Sequence, residues 1–394
     1  MSQRFVSRRI ADVPPSAIRR FFDMAGSVEN VISLGIGEPD FVTPYSSRDA
    51  MINSLLDGQT QYTANPGLLA LRQEIAHYLA QRFDIHYDPE REILVTVGAS
   101  EAIDIALRAV VEPGDEVLIS EPCFVSYGPC VTFAGGIPVA VPCQPEEGFQ
   151  VTAKALLQHL TARTKAILIS YPNNPTGAVL DRAHLEQVAD VAREHDLLVI
   201  SDEIYNELIY DGHAQGSMAA LPEMARRCIT INGFSKAFAM TGLRIGYVAA
   251  PAAILGACAK IHQYTIMCAS RQSQVAALRA LQKGRQDGYA DIEDMRQSYD
   301  RRRRLMYDAF ASMGLDCTEP QGAFYAFPSI RSTGLSSETF CRRLLEEQAV
   351  VCIPGNAFGA VGEGHIRCCY ATGVDKLLAA FERMQVFLDS LRRN

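Results

Sequence analysis

Short apolar runs alternate with amphipathic stretches through the middle of this chain. Ile93 to Val97 reads as a buried strand, and apolar positions at helical spacing follow from Ser100 to Val111. Further strand-like runs are Glu116 to Ser120, Ile137 to Val141, Ala166 to Ser170, Leu197 to Ser201, Ile229 to Ile231 and Ile245 to Ala249. Helical periodicity marks Leu68 to Phe83 and Leu185 to His195. Strands alternating with helices predict an α/β fold, a three-layer αβα domain around a mainly parallel sheet. After about Ser270 the pattern changes to long helices, Gln272 to Lys283 and Asp291 to Met313. Short strands at Ala323 to Phe327 and Val350 to Ile353 follow, then a last helix from Val374 to Arg392. This predicts a large domain over residues 46–285. A smaller α+β domain takes in residues 286–394 and the N-terminal segment, 1–45.

The polar, Gly- and Pro-rich motifs fall just after successive strands. They are Gly98-Ala99-Ser100, Pro122 to Tyr127, Pro172 to Gly177, Asp202 to Tyr205 and Gly233 to Lys236. In a parallel sheet, ligands bind beyond the carboxyl ends of the strands, so five motifs on one edge predict one site built from distant segments.

Lys236 follows the apolar run Cys228 to Ile231. A desolvated lysine has a lowered pKa and forms a Schiff base with a carbonyl compound. Ser235 beside it and Arg244 eight residues on are residue types that grip phosphate. A lysine for an aldehyde next to a phosphate grip describes a site for pyridoxal phosphate; a surface lysine at a helix start is the alternative. Ala99 and Ser100 open a helix, where backbone amides favour an anion, although Ser100 also reads as an ordinary N-cap. Asp202 ends an apolar strand and suits a protonated pyridine nitrogen or, equally, an N-cap. Tyr205 and Asn174 are hydrogen-bond partners for a ring hydroxyl, unless Asn174 only shapes a turn. Phe124 suits stacking on a flat ring or plain packing. Arg367, between apolar neighbours, reads as a buried arginine wanting a carboxylate, from a substrate or from an internal Asp or Glu.

Composition narrows the classes. The 394 residues carry a net charge of −8, and the basic tract Arg301 to Arg304 lies in a helical pattern that reads as a solvated face. Nucleic acid is therefore not an expected partner. No apolar run reaches membrane-spanning length. The 11 cysteines are scattered without a C-x-x-C pair, and Cys368 and Cys369 adjoin too closely to share a metal. Reduced, buried thiols in a cytoplasmic protein without a metal site are expected.

The motifs together resemble the class I aminotransferases, pyridoxal-phosphate enzymes of fold type I. The resemblance runs from SLGIGEPDF through YTANPGLLALRQ, TVGASEAI, YPNNPTGAVL, SDEIY, NGFSKAFAMTGLRIGY, PQGAFYAF and GNAFG to GEGHIRCCYATG. In detail the chain is most similar to the aromatic and acetyl-diaminopimelate subgroup. The resemblance implies that Lys236 holds the cofactor and shuttles the proton, and that Asp202 pairs with the pyridine nitrogen. It places Tyr205 and Asn174 on the ring oxygen and Phe124 on the ring face. Ala99, Ser100, Ser235 and Arg244 would hold the phosphate, with Tyr62 reaching it from the other subunit of a homodimer. Arg367 would bind the α-carboxylate, and Gly37 would line the substrate pocket.

The chain also departs from the family pattern. Gly233 stands where many relatives have serine, Leu243 where tryptophan is frequent, and Phe124 lacks a tyrosine's hydroxyl. Ser100 stands where some aspartate-handling relatives carry lysine. The implied reaction moves an amino group from an aromatic or other bulky neutral L-amino acid to a 2-oxo acid such as 2-oxoglutarate, with ping-pong kinetics. Acetyl-diaminopimelate or a broad donor range is the alternative. A β-lyase on the same scaffold and a ligand-sensing regulator are the other classes.

Overall fold

The computed structural model describes residues 5–26, 28–213 and 216–393. In chain order the N-terminal part carries α1 (Arg8–Ala11), α2 (Ala17–Ala25), β1 (Ile32–Ser33), α3 (Tyr45–Leu56) and α4 (Leu69–Phe83). The middle carries β2 (Ile93–Thr96), α5 (Gly98–Val110), β3 (Glu116–Glu121), α6 (Tyr127–Ala134), β4 (Ile137–Pro142), α7 (Ala153–His159), β5 (Thr164–Ser170), α8 (Arg182–Glu194), β6 (Leu198–Asp202), β7 (Cys228–Gly233), β8 (Gly246–Ala249), α9 (Ala252–Thr265) and α10 (Arg271–Asp287). The rest is α11 (Ala290–Met313), β9 (Tyr325–Ala326), α12 (Ser337–Gln348), β10 (Val350–Val351), β11 (Ile353–Pro354), β12 (Ile366–Cys369) and α13 (Val374–Arg393). Among the described residues, no helix is long and apolar enough to cross a membrane.

The apolar runs of the middle region become one seven-stranded sheet, in the order β2-β8-β7-β6-β5-β3-β4. Continuous apolar runs suit strands covered on both faces. Alternation sends Val95, Leu118, Ile167 and Val199 into one core. Leu94, Val117, Leu168 and Ile200 enter a second, shared with Ala102, Ile103 and Leu107 of α5. β8 breaks the parallel pattern, running antiparallel to both β2 and β7. Its start therefore lies at the same edge as the ends of the other strands. Gly233 and Gly246 are paired across β7 and β8, and a Cβ on Gly233 would stand 2.9 Å from the Gly246 Cα. A side chain at Gly233 would have to push the paired strand away.

Two sequence expectations need correction. The run Val350 to Ile353 is not one strand: β10 pairs in parallel with β1, whereas β11 pairs with β12, and the chain changes sheets at Cys352. The tract Arg301 to Arg304 is only in part a solvated face. Arg301 and Arg304 are exposed, but Arg303 is buried, held by Asp300 and Glu319 at 2.8 and 2.9 Å and by Asp211. Arg302 donates to both oxygens of Asp40 at 2.8 Å, tying α11 to the N-terminal segment. Asp40, Asp211 and Glu319 come from other segments of the chain, and helical spacing alone does not reveal them.

Candidate active site

A cavity of about 350 Å³ opens at the carboxyl edge of the large sheet. Residues from all five strand-end motifs line it, joined by Gly35, Gly37 and Glu38, by Ile18 and Phe22 of α2, and by Tyr325 and Arg367. Lys236 follows β7 in a turn and opens no helix. Its Nζ donates to the Gly37 carbonyl at 2.6 Å. Burial lowers its pKa to about 8, and the nearby Arg367 and Arg244 push the same way, against the influence of Cys369 and Glu38. The amine is thus neutral at mildly alkaline pH and ready to attack a carbonyl.

Asp202 ends β6 and is no helix cap, since no helix follows directly. It accepts from the Tyr127 hydroxyl at 2.8 Å and from the Ile204 N–H at 3.2 Å. Burial raises its carboxyl to about 6, against those two hydrogen bonds and the charge of Lys236. A buried carboxylate with two neutral donors is suited to a cationic partner. In the Pro172 to Gly177 motif, Asn173 shapes the turn, accepting from the Thr176 N–H and hydroxyl at 3.1 and 2.8 Å. Asn174 is left to accept from Arg367 at 2.8 Å. Tyr205 lies edge-on to Phe324, with its hydroxyl 2.8 Å from that of Tyr325. Phe124 is half-buried beside Tyr127, ring centroids 5.8 Å apart, and it also lines the cavity.

The polar rim is built at the β2–α5 turn. Gly98 has φ +74°, and a Cβ there would stand 2.6 Å from the Arg244 guanidinium; a Cβ on Gly246 would stand 2.7 Å from the Ala99 nitrogen. Two glycines thus let a backbone amide and an arginine converge. Ser100 is not an N-cap, because α5 begins at Gly98. The first turn is closed instead by the Glu101 carboxylate, which accepts from the Val97 N–H at 2.5 Å. Ser100, Ser235 and Arg244 all line the cavity. Amide, hydroxyls and guanidinium at a helix N-terminus form an anion cradle.

Arg367, on β12, is 3% exposed. It donates to Asn174 and, at 2.6 Å, to the Gly35 carbonyl. Its ring neighbours are Tyr325 and Phe358, 4.6 and 4.8 Å from the guanidinium carbon. Its Nε is buried without a hydrogen-bond partner, and its hydrogen bonds among the described residues go to neutral oxygens. The internal-carboxylate alternative thus finds no support, and the arginine suits a carboxylate brought in by a ligand. Tyr62 is not brought to this cavity; it is 78% exposed. Sequence reasoning assigns no role to Tyr127, although it closes one of the strand-end motifs, and misses Tyr325, Ile18 and Phe22, whose apolar bodies carry no mark of a site. Their polar tips or cavity faces carry no local signal.

The donor set fits pyridoxal phosphate: an amine of lowered pKa for its aldehyde, a buried carboxylate for its ring nitrogen, and a cradle for its phosphate. A family model described as "Aminotransferase class I and II" matches residues 29–381. The putative aminotransferase YugH of Bacillus subtilis is 52% identical, covering 98% of both chains. An aspartate aminotransferase of Pyrococcus abyssi is 46% identical over 97% of this chain and 98% of its own. The solved aromatic aminotransferase of Pyrococcus horikoshii OT3 superposes with a TM-score of 0.90 at 45% identity, covering 95% of this chain and 99% of that one.

Proposed function

We propose, for a chain that belongs to the class I and II aminotransferase family and is a pyridoxal-phosphate-dependent transaminase, that its amino donor is an aromatic or other bulky neutral L-amino acid and its acceptor a 2-oxo acid such as 2-oxoglutarate. The observation that carries this reading is the make-up of the cavity. Its cations are Lys236, Arg244 and Arg367. The aldehyde, the phosphate and the α-carboxylate occupy all three, so none among the described lining residues is left for a side-chain carboxylate. Ile18, Phe22 and Tyr325 offer apolar surface instead. Ser100 in the place of a lysine agrees with this.

The roles we assign follow from position. Arg244, Ser100, Ser235 and the Ala99 N–H hold the phosphate, assisted by Tyr62 of the partner subunit. Asp202 holds the proton on the ring nitrogen, with Tyr127 orienting the carboxylate. Tyr205 and Asn174 bind the ring oxygen, and Phe124 covers one face. Once bound, pyridoxal phosphate supplies an aldehyde for the amine and a ring that withdraws the electrons left when the α-proton departs. Arg367 binds the donor's α-carboxylate, and the Gly35 to Gly37 backbone lines the pocket. Lys236 Nζ takes the proton from the donor's α-carbon and later returns one.

A homodimer in the cytoplasm agrees with free cysteines and with exposed Tyr62, Leu56 and Tyr264, apolar surface of a kind that a second copy covers. The proposed large domain, 46–285, carries the cradle, and the small domain, 1–45 with 286–394, carries Arg367. The β1–β10 pairing supports grouping the N-terminal segment with the latter.

A donor panel with 2-oxoglutarate tests the substrate. Phenylalanine and tyrosine should be good donors, with parallel double-reciprocal lines. If aspartate or an acylated diamino acid is far better, the aromatic reading is wrong.

A further inference from the structure

Tyr325 touches several of the residues assigned above. It sits on β9, opposite Cys369 of β12, and is 1% exposed. Its hydroxyl is 2.8 Å from that of Tyr205, and its ring lies 4.6 Å from the Arg367 guanidinium carbon. Gly37, whose carbonyl takes the Lys236 amine, makes room for this phenol: a Cβ there would stand 2.3 Å from the Tyr325 hydroxyl.

We propose that Tyr325 is a positioning residue for transamination, its hydroxyl donating to Tyr205 and so turning and strengthening the Tyr205 hydroxyl as a donor to the cofactor's ring oxygen. This rests on the role assigned above to Tyr205. A hydroxyl that accepts one hydrogen bond donates the next more strongly. A stronger donor on the ring oxygen competes for the proton that this oxygen shares with the Lys236 nitrogen in the loaded enzyme. That nitrogen then releases its proton at lower pH. The surrounding charged and titratable groups are Arg367 and Cys369 from β12, Glu38 from the N-terminal loop, Arg244 ahead of β8, and Asp202 with Tyr127. Burial raises both phenols above their ordinary range, so each keeps its proton through the pH range of interest.

The test is an absorbance titration of the holoenzyme, following the band of the cofactor bound to Lys236. Tyr325→Phe keeps the ring against Arg367 and removes only the hydroxyl. Its titration midpoint should rise by about half to one pH unit, the scale of one modest hydrogen bond. Tyr205→Phe should raise the midpoint further, and the double variant should match Tyr205→Phe alone. Gly37→Ala, which places a methyl group at the phenol, should shift the midpoint in the same direction as Tyr325→Phe. If Tyr205→Phe shifts the midpoint but Tyr325→Phe titrates like the parent, or if the two shifts add, the coupling through Tyr325 is wrong while the role of Tyr205 stands. If Tyr205→Phe does not shift it, the role of Tyr205 falls first and this inference with it.

Discussion

At the scale of single residues, the site works by burying charge. Lys236 has a folded-state pKa of about 8, below its ordinary value of 10.5. Its cationic form is therefore the disfavoured one in the cofactor-free protein. The cost to stability is fully present below about pH 8 and fades as pH rises towards 10.5. Lys236→Met should stabilise the cofactor-free protein by roughly 1–3 kcal/mol at pH 7 and by less at pH 9.5, read from urea unfolding. In the loaded enzyme, Lys236→Ala should lower turnover by a factor on the order of 10²–10⁴, the range of a lost general base. Asp202 has the opposite sign. Its carboxyl is raised to about 6, so its charged form costs stability above that pH, and the cost is relieved as pH falls towards 3.8. Lys236, Asp202 and Arg367 are legible in the sequence because a charge at the end of, or inside, an apolar run needs a reason. Tyr325 is not, because a phenol in such a run satisfies the core pattern whatever its hydroxyl does, and Tyr127 is legible only as part of its motif.

At the scale of elements, the turn from β2 to α5 fixes the anion cradle, and it is braced from outside. The Glu101 carboxylate that accepts from the Val97 N–H also meets His262 Nδ1 of α9 at 2.6 Å, and His262 is buried. Glu101→Ala should weaken cofactor retention without touching the cradle's own donors, measured as faster loss of the bound chromophore on dilution. Gly98→Ala should be worse, since it adds backbone strain of about 1–3 kcal/mol to a collision with Arg244. Both ends of this turn can be read from the residues to within two positions, because apolar runs and small residues bracket it. The direction of β8 cannot, since a run such as Ile245 to Ala249 reads the same in either orientation. Nor can the split between β10 and β11, where one apolar run serves two sheets.

At the scale of the whole molecule, the site is drawn, on our reading, from both proposed domains and from two copies of the chain. Tyr62 tests this directly. Its segment is tied to α10 and to the loop ahead of it, with Asn65 donating to the Met267 carbonyl at 2.8 Å and Gln272 to that of Gln59 at 2.7 Å. Tyr62→Ala and Lys236→Ala, each impaired alone, should recover activity when unfolded and refolded together, because hybrid dimers then contain one intact site. A mixture no better than the mean of its parents would place Tyr62 outside the partner's site. The reach of the sequence ends at this level, since a residue's neighbours in another subunit leave no periodic trace. One further consequence comes from β8. Had it run parallel, Arg244 would lie about 13 Å away, at the far edge of the sheet. Instead the chain leaves the edge with Lys236 and returns with Arg244, and Gly246 seats the returning strand against the Ala99 backbone. Besides its two glycines, its lysine and its arginine, the length of this hairpin cannot change. An inserted or deleted residue in β8 would slide the guanidinium out of register with the amine and turn the strand's side chains to the wrong faces. In descendants of this gene, the strand from 247 to 249 should therefore accept apolar substitutions but no indels.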